Sequence, residues 1–116
     1  MRNRVVIAAV LVVFVAAAAA LIFINRGQGG QNVTLNVTVT GAKSMQPTDL
    51  AVDQNDNVTM KITSDTDGEV HLHGYDLSFQ VKAGQVVSET FKADKTGDFP
   101  IEWESTSAPL GHLVVT

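Results

Sequence analysis

The sequence predicts an all-β domain, a Greek-key β-sandwich, preceded by one N-terminal transmembrane helix. Three observations favour this architecture. An unbroken apolar run fills residues 5–24, short runs with period-two alternation fill most of residues 33–116, and turn-forming residues separate those runs. The chain has 116 residues, which leaves room for one modest domain beyond the apolar run.

The N-terminal segment, residues 1–26, is predicted to anchor the chain in the cytoplasmic membrane. Its apolar run is twenty residues long, about the length that a helix needs to cross a hydrocarbon core of roughly 30 Å. Two arginines precede the run and one follows it, which favours an N-terminus inside and a periplasmic or extracellular C-terminal domain. The alternative is a signal peptide cleaved within the alanines of residues 16–20. Under both interpretations, the rest of the chain is extracytoplasmic.

The exported part is acidic and lacks cysteine. Residues 27–116 hold twelve acidic residues and five lysines, a net charge of −7, so the sequence excludes a nucleic-acid interface and favours repulsion from an anionic membrane surface. With no cysteine in the chain, no disulfide supports the fold and no lipid is attached through a thiol. Residues 27–32, GQGGQN, have the composition of a flexible linker.

Residues 33–116 are predicted to form seven or eight short strands of one sandwich. Valine, isoleucine, leucine and threonine alternate with polar residues along each run, as in strands with one buried face. Turn signals such as DTDG, KAG and DKTGD stand between the runs. Runs of this length and spacing are typical of a Greek-key sandwich. The predicted strands are residues 33–40, 50–52, 57–63, 69–73, 77–81, 86–91, 99–104 and 112–116.

Three stretches of the exported part resemble the cupredoxin family. Residues 47–65, PTDLAVDQNDNVTMKITSD, are similar to the early cupredoxin strands, with Asn55 at the usual glycine place. Residues 73–103 are similar to the order of a ligand histidine, a loop, a turn and a GxFxxxW segment where blue-copper members have GxYxxxC. Residues 111–116, GHLVVT, resemble the final strand. The resemblance implies the sandwich fold, in an exported, membrane-anchored member of an HLHGYD type without the blue-copper cysteine.

Carried over residue by residue, the resemblance implies only part of a copper site. His73 matches the first ligand histidine, and Trp103 stands where the ligand cysteine falls. No histidine occurs in residues 104–110, and no methionine in residues 108–111. Type 1 copper chemistry depends on a copper–thiolate bond. The chain is therefore not expected to be a conventional blue-copper electron carrier.

The three histidines are nevertheless candidate metal ligands. His71 and His73 share strand parity, and same-face residues two apart lie about 6.6 to 6.8 Å from each other. With His112, which opens the last predicted strand, they would supply three imidazoles and an open fourth position to Cu(II) or Zn(II), with neighbouring glutamates completing or orienting the set. The alternative is that all three are polar surface residues. The alternation of the last strand also turns His112 away from the core.

Two functions remain open at this level. The first is a membrane-tethered, extracytoplasmic cupredoxin-like module that binds copper through histidines without type 1 electron transfer. The second is a metal-free accessory or docking subunit of a larger membrane protein complex. No enzyme signature was found, so we expect no catalytic activity, no nucleic-acid partner and no cofactor other than copper. Asn-Val-Thr triplets at Asn32, Asn36 and Asn57 match the N-glycosylation acceptor pattern. The alternative is that threonines alternating in strands produce these triplets by chance, and glycosylation also requires a source that glycosylates exported proteins.

Overall fold

The computed structural model describes residues 30–116. The predicted membrane anchor, residues 1–26, and the first half of the predicted linker lie outside the described residues. In residues 30–116, no helix is long and apolar enough to cross a membrane. This part of the chain forms nine strands: β1 (Asn32–Thr40), β2 (Ser44–Gln46), β3 (Asp49–Val52), β4 (Asn57–Ser64), β5 (Gly68–Leu72), β6 (Leu77–Val81), β7 (Val86–Lys92), β8 (Gly97–Trp103) and β9 (Ala108–Val115).

The predicted strands are all present, and one further strand was missed. Strand β2 has three residues, which is too short to show an alternation of its own. It pairs with the end of β1, where Met45 lies opposite Val39. The last strand begins at Ala108, earlier than predicted, because a register shift between Pro109 and Gly111 interrupts the alternation there.

The strands form two sheets. One sheet has five strands in the order β3-β9-β8-β5-β6, and the other has four in the order β2-β1-β4-β7. Strands β1 and β4 pair in parallel, as do β3 and β9, although each pair is separated along the chain. The remaining pairs are antiparallel. Long connections that bring distant strands together in this way are the mark of a Greek-key sandwich.

The core lies between the two sheets and is built by strict alternation. Strand β4 shows the pattern clearly, because its valine, methionine and isoleucine are buried while the residues between them are exposed or partly exposed. Burial of such side chains contributes about 1.5–3 kcal/mol each. The largest fully buried side chains are Phe79, Met45, Met60, Ile62, Leu72, Ile101, Leu113, Val39, Val52, Val58, Val70 and Val81.

A buried carboxylate ties the start of the sandwich to the turn between β3 and β4. Asn55 adopts a positive φ of 73° in this turn, which explains why it occupies a position that suits glycine. The next residue, Asp56, is 0% exposed. Its Oδ1 accepts a hydrogen bond from the Gln31 N–H (3.0 Å), and its Oδ2 accepts one from the Asp53 N–H (2.9 Å). Residue 31, which belongs to the predicted linker, is thereby fastened to the sandwich.

Replacing Asp56 by alanine should destabilise the fold. Two backbone N–H donors would lose a charged acceptor in a buried position, which costs about 1–3 kcal/mol for each unsatisfied group. We expect the free energy of unfolding, measured by urea denaturation, to fall by at least about 2 kcal/mol. The control is Asp94→Asn, at an exposed residue, which should unfold at the wild-type urea midpoint. Equal midpoints for Asp56→Ala and wild type would contradict this role.

Candidate metal centre on the outer face of the five-stranded sheet

The outer face of the five-stranded sheet carries all three histidines of residues 30–116. We call this surface the histidine face. The five strands that form it contain no lysine or arginine. The outward positions alternate with buried residues such as Val70, Leu72 and Ile101, so the strand pattern alone determines which side chains project. The histidines and acidic residues of this face and its adjoining turns include Asp49, Glu69, His71, His73, Asp76, Asp98, Glu102, Glu104 and His112.

His71 and His73 lie next to each other, as their shared parity predicts. Their ring centroids are 4.3 Å apart and the ring planes are inclined by 52°. The His73 Nε2 lies 3.0 Å from the Glu102 Oε1 and forms a hydrogen bond with it. The His71 Nδ1 is buried and lies 3.2 Å from the Glu104 Oε1, but the geometry of this contact is not that of a hydrogen bond. The His71 Nε2 lies 3.6 Å from the Asp76 Oδ1. Two imidazoles and three carboxylates therefore meet in one place.

The turn after β5 positions His73. The His73 backbone N–H donates a hydrogen bond to the Pro100 carbonyl at 3.0 Å, which extends the pairing of β5 with β8 by one residue. Gly74 then turns the chain with a φ of 85°. The Tyr75 hydroxyl donates to the Lys95 carbonyl (2.7 Å) and accepts from the Lys95 N–H (3.0 Å); burial raises the pKa of Tyr75. Hydrogen bonds at His73 and at Tyr75 thus fix the turn on both sides of Gly74.

His112 belongs to a separate cluster. Its Nδ1 lies 2.6 Å from the Asp98 Oδ1, and its Nε2 lies 2.7 Å from the Asp49 Oδ1. The hydrogen bonds with Asp98 and then with Asp49 raise the pKa of His112. Along the sheet, His112 pairs with Pro100, which separates it from His73 by two strand spacings, or about 9–10 Å. The outward orientation predicted for His112 is confirmed.

The structure therefore brings together two of the three candidate ligands. Within residues 30–116, no group of three or more histidine, cysteine or acidic side chains is arranged to hold a metal ion. Both ring nitrogens of His112 already face carboxylates. The use of His71, His73 and His112 as one ligand set stays a prediction. Sequence reasoning missed Asp49 and Asp98 as partners of His112, because only the parallel pairing of β9 with β3 and the register of β8 place them there.

Trp103 lies on the opposite side of the sheet from the histidines. It pairs with Val70 across β5 and β8 and is 4% exposed in the core between the sheets. Its indole ring packs directly on Gly68, where a Cβ would approach Cζ2 more closely than real side chains do. His73, in contrast, projects from the outer face. The two positions that the family resemblance assigns to copper ligands therefore do not face one ion.

Comparison with solved structures identifies the architecture. The chain superposes with a TM-score of 0.65 on a heme-copper terminal oxidase dimer, at 18% identity over 75% of this chain. A copper binding protein in its apo form gives a TM-score of 0.63, at 10% identity over 78% of this chain and 95% of that one. The blue copper protein auracyanin A of Chloroflexus aurantiacus gives 0.51, at 14% identity over 72% of this chain and 99% of that one. The fold is cupredoxin-like.

This likeness rests on structure alone. The chain matches no protein-family model and no curated protein. It spans 66% of the oxidase chain and 38% of the chain of a multicopper oxidase that it also resembles. Identities of 10–18% among these structures establish the cupredoxin-like sandwich. They do not establish an activity, which has to be argued from the residues of this chain.

The type 1 copper of blue copper proteins does not fit the residues present. Such a centre requires a thiolate ligand, and the chain has no cysteine. At the corresponding position, the buried indole of Trp103 fills the space beside Gly68. A metal ion held by this cupredoxin-like sandwich would therefore need a different place.

Substitution of Gly68 by alanine should displace Trp103. The new methyl group would overlap the indole ring, and such overpacking costs about 1–3 kcal/mol. Trp103 is the only tryptophan, so its fluorescence emission should shift to longer wavelength as the ring becomes more exposed. Gly41→Ala is the control, since Gly41 has open space around it but a positive φ of 62°. It should lower stability without moving the emission maximum.

The contribution of His112 to stability should depend on pH. Because its pKa is raised in the folded state, the stabilisation is fully present below the unfolded pKa of about 6.5 and is lost as pH rises through the folded pKa. His112→Asn should therefore destabilise most near pH about 5.5 and least near pH about 9. We expect less than about 1 kcal/mol at most, because the pair is screened by solvent. Urea unfolding at both pH values measures it, and a deficit that grows with pH would contradict the assignment.

Proposed function

We propose that the chain is a membrane-tethered, extracytoplasmic module that binds Cu(II) through His71 and His73, without type 1 electron-transfer chemistry. One observation carries this proposal. The two imidazole rings lie 4.3 Å apart on the histidine face, within reach of the carboxylates of Glu102 and Glu104. Nitrogen and oxygen donors of this kind suit Cu(II).

The two glutamates have two possible tasks in such a site. Each lies about one hydrogen-bond length from an imidazole nitrogen, at 3.0 Å for Glu102 and 3.2 Å for Glu104. A carboxylate in this place can be a ligand itself. Alternatively, it accepts a hydrogen bond from one nitrogen of the imidazole and so orients the ring to bind the ion through the other nitrogen. His112 is left out of the site, because both its nitrogens are engaged by Asp49 and Asp98. A bound ion would supply no thiolate charge-transfer chemistry in this setting.

Tethering rests on the N-terminal sequence. The apolar run of residues 5–24 and the arginines that flank it support a single span with the sandwich outside the cytoplasm. The sandwich itself is acidic, with twelve carboxylates and five lysines in residues 27–116. It should therefore stand off an anionic lipid surface and remain accessible to ions and partners.

A second function, metal-free docking in a membrane protein complex, is favoured by a different observation. Every histidine of the histidine face lies within 3.6 Å of a carboxylate of the same chain, so polar side chains face the imidazoles without an ion. Its five strands contain acidic residues and no basic ones. Such a surface is complementary to a basic patch on a partner. The likeness to an oxidase chain is compatible with this alternative.

Titration of the full chain with Cu(II) tests the first proposal. The chain is purified in detergent, and binding is followed by calorimetry and by electron paramagnetic resonance. We expect a dissociation constant of about micromolar or tighter, with nitrogen hyperfine splitting from two imidazoles and no intense thiolate absorption. His71→Ala and His73→Ala should each weaken binding by at least about tenfold, or roughly 1.4 kcal/mol.

The matched control is His112→Ala, which removes an imidazole from the same face. It should leave the affinity for Cu(II) unchanged, whereas an equal loss would favour the three-histidine site. Absence of binding tighter than about micromolar, or binding that survives the double substitution of His71 and His73, would reject the copper proposal. Co-purification of the chain with a larger complex in mild detergent would then support the docking alternative.

A further inference from the structure

The four-stranded sheet has an outer face of a different character, which we call the threonine face. Its outward positions on β1, β4 and β7 hold threonine, asparagine, serine and lysine, with Val86 at one edge and no carboxylate. We infer that this face is an acceptor surface for N-linked oligosaccharide, with Asn36 as its principal site. The inference rests on the extracytoplasmic placement in the proposed function, because N-linked oligosaccharide is added to exported chains.

The use of asparagine in the strands supports this assignment. Residues 30–116 contain four asparagines. One of them, Asn55, lies in a turn at a φ of 73°, where asparagine is a favoured residue. The other three lie on β1 and β4, although asparagine is depleted from strands. Each of those three is followed by Val-Thr, so every asparagine in the strands of residues 30–116 belongs to an acceptor triplet.

Strand geometry presents each triplet correctly. Residues two apart in a strand project from the same face, so the asparagine amide and the threonine hydroxyl of a triplet emerge together, while the valine between them faces the core. Asn36 and Thr38 are both exposed, and Val37 is buried. The acceptor amide and the hydroxyl that the motif requires are therefore both available to solvent.

The three acceptors are not equivalent. Asn32 and Asn57 are direct partners in the parallel pair of β1 and β4, and the Asn57 Nδ2 donates a hydrogen bond to the Asn32 Oδ1 at 3.3 Å. Their backbones lie about 4.8 Å apart, which is too close for two branched oligosaccharides side by side. In Asn57's triplet, the Thr59 Oγ1 also lies 3.1 Å from the Thr90 Oγ1, so its hydroxyl is engaged.

Asn36 has neither restriction. It pairs with Lys61 and lies about 13 Å along β1 from Asn32. None of the hydrogen bonds or ion pairs found within residues 30–116 involves its side chain. The geometry therefore predicts an order of occupancy, with Asn36 first and only one of Asn32 and Asn57 occupied in any one molecule. At most two of the three triplets should carry oligosaccharide together.

The chemistry is a substitution at the anomeric carbon of an oligosaccharide carried on a polyprenyl diphosphate. The Asn36 Nδ2 forms a bond to C1 of the first sugar, the bond between C1 and the diphosphate oxygen breaks, and the amide loses one proton. Polyprenyl diphosphate is the leaving group, and no electron transfer takes place. Sugar on the threonine face would leave the histidine face uncovered, since the two faces belong to opposite sheets.

Mass spectrometry of the full chain, isolated from the membranes of the cells that naturally make it, tests this inference. We expect an intact mass above the 12.4 kDa of the polypeptide, with sugar on Asn36 in most molecules and, in a smaller fraction of these, also on one of Asn32 and Asn57. Molecules with both Asn32 and Asn57 modified would overturn the predicted exclusion. Molecules with the bare polypeptide mass throughout would overturn the inference as a whole.

Two substitutions in the same cells provide matched variants. Thr38→Val removes the hydroxyl of the Asn36 triplet and should abolish modification at Asn36, while Thr40→Val alters the same face outside any triplet and should leave it unchanged. Protease digestion of spheroplasts, in which the outer envelope is opened and the cytoplasmic membrane is intact, separates the causes of a negative result. If the sandwich carries no sugar and the protease digests it, glycosylation is overturned but the proposed extracytoplasmic placement is not. If the sandwich carries no sugar and is protected from the protease, both are overturned. Copper binding by His71 and His73 is independent of each outcome.

Discussion

The packing of two alternating sheet faces against each other is the constraint on which the rest of the structure depends. The chain has no cysteine, so no disulfide limits the unfolded state, and the position that the family resemblance assigns to a ligand cysteine holds Trp103, which packs on Gly68. Stability must therefore come from apolar burial and from satisfied polar groups such as Asp56. Most inward positions of the strands are therefore taken by apolar side chains, which leaves functional side chains mainly to the outer faces, the turns and the ends of the sandwich.

The two outer faces are not constrained by the core, and their side-chain compositions differ. On the five-stranded sheet, carboxylates surround the three histidines and no basic residue is present in the strands. On the four-stranded sheet, small polar residues and lysines replace them. The two sheets of this cupredoxin-like sandwich thus present two chemically different surfaces. They are not arranged around one metal site at the end of the sandwich. Similar architectures with very different sites are common, because a fold supports its sites without specifying them.

Much of the fold follows from the sequence because alternation is a local signal. The strands around Val58, Met60 and Ile62, and the neighbourhood of His71 and His73, could be predicted from period-two patterns alone. The pairing of His112 with Asp49 could not, since the two residues are 63 positions apart and meet only through a parallel pair of strands. Likewise, the contact of Trp103 with Gly68 depends on the register of β5 against β8. The resemblance to cupredoxins indicated the architecture but suggested a ligand pairing of His73 with the Trp103 position that the two faces of the sheet separate.

The hydrogen bonds of residues 30 and 31 also have a consequence for orientation. The Gly30 N–H donates a hydrogen bond to the Asn55 carbonyl, and the Gln31 N–H donates one to the Asp56 carboxylate. Residues 30 and 31 are therefore fixed at the end of the sandwich that holds the turn between β3 and β4. Four peptide steps separate residue 26 from residue 30, a reach of no more than about 14 Å. If residues 1–26 span the membrane as proposed, this reach limits how far that end of the acidic sandwich can stand off the lipid. The opposite end, with Trp103 and Gly68, is then the farther from the lipid. The turn after His73 contacts Lys95, and the nearby Ala93 carbonyl accepts a hydrogen bond from the Asn55 N–H, so His73 lies toward the lipid end of the histidine face.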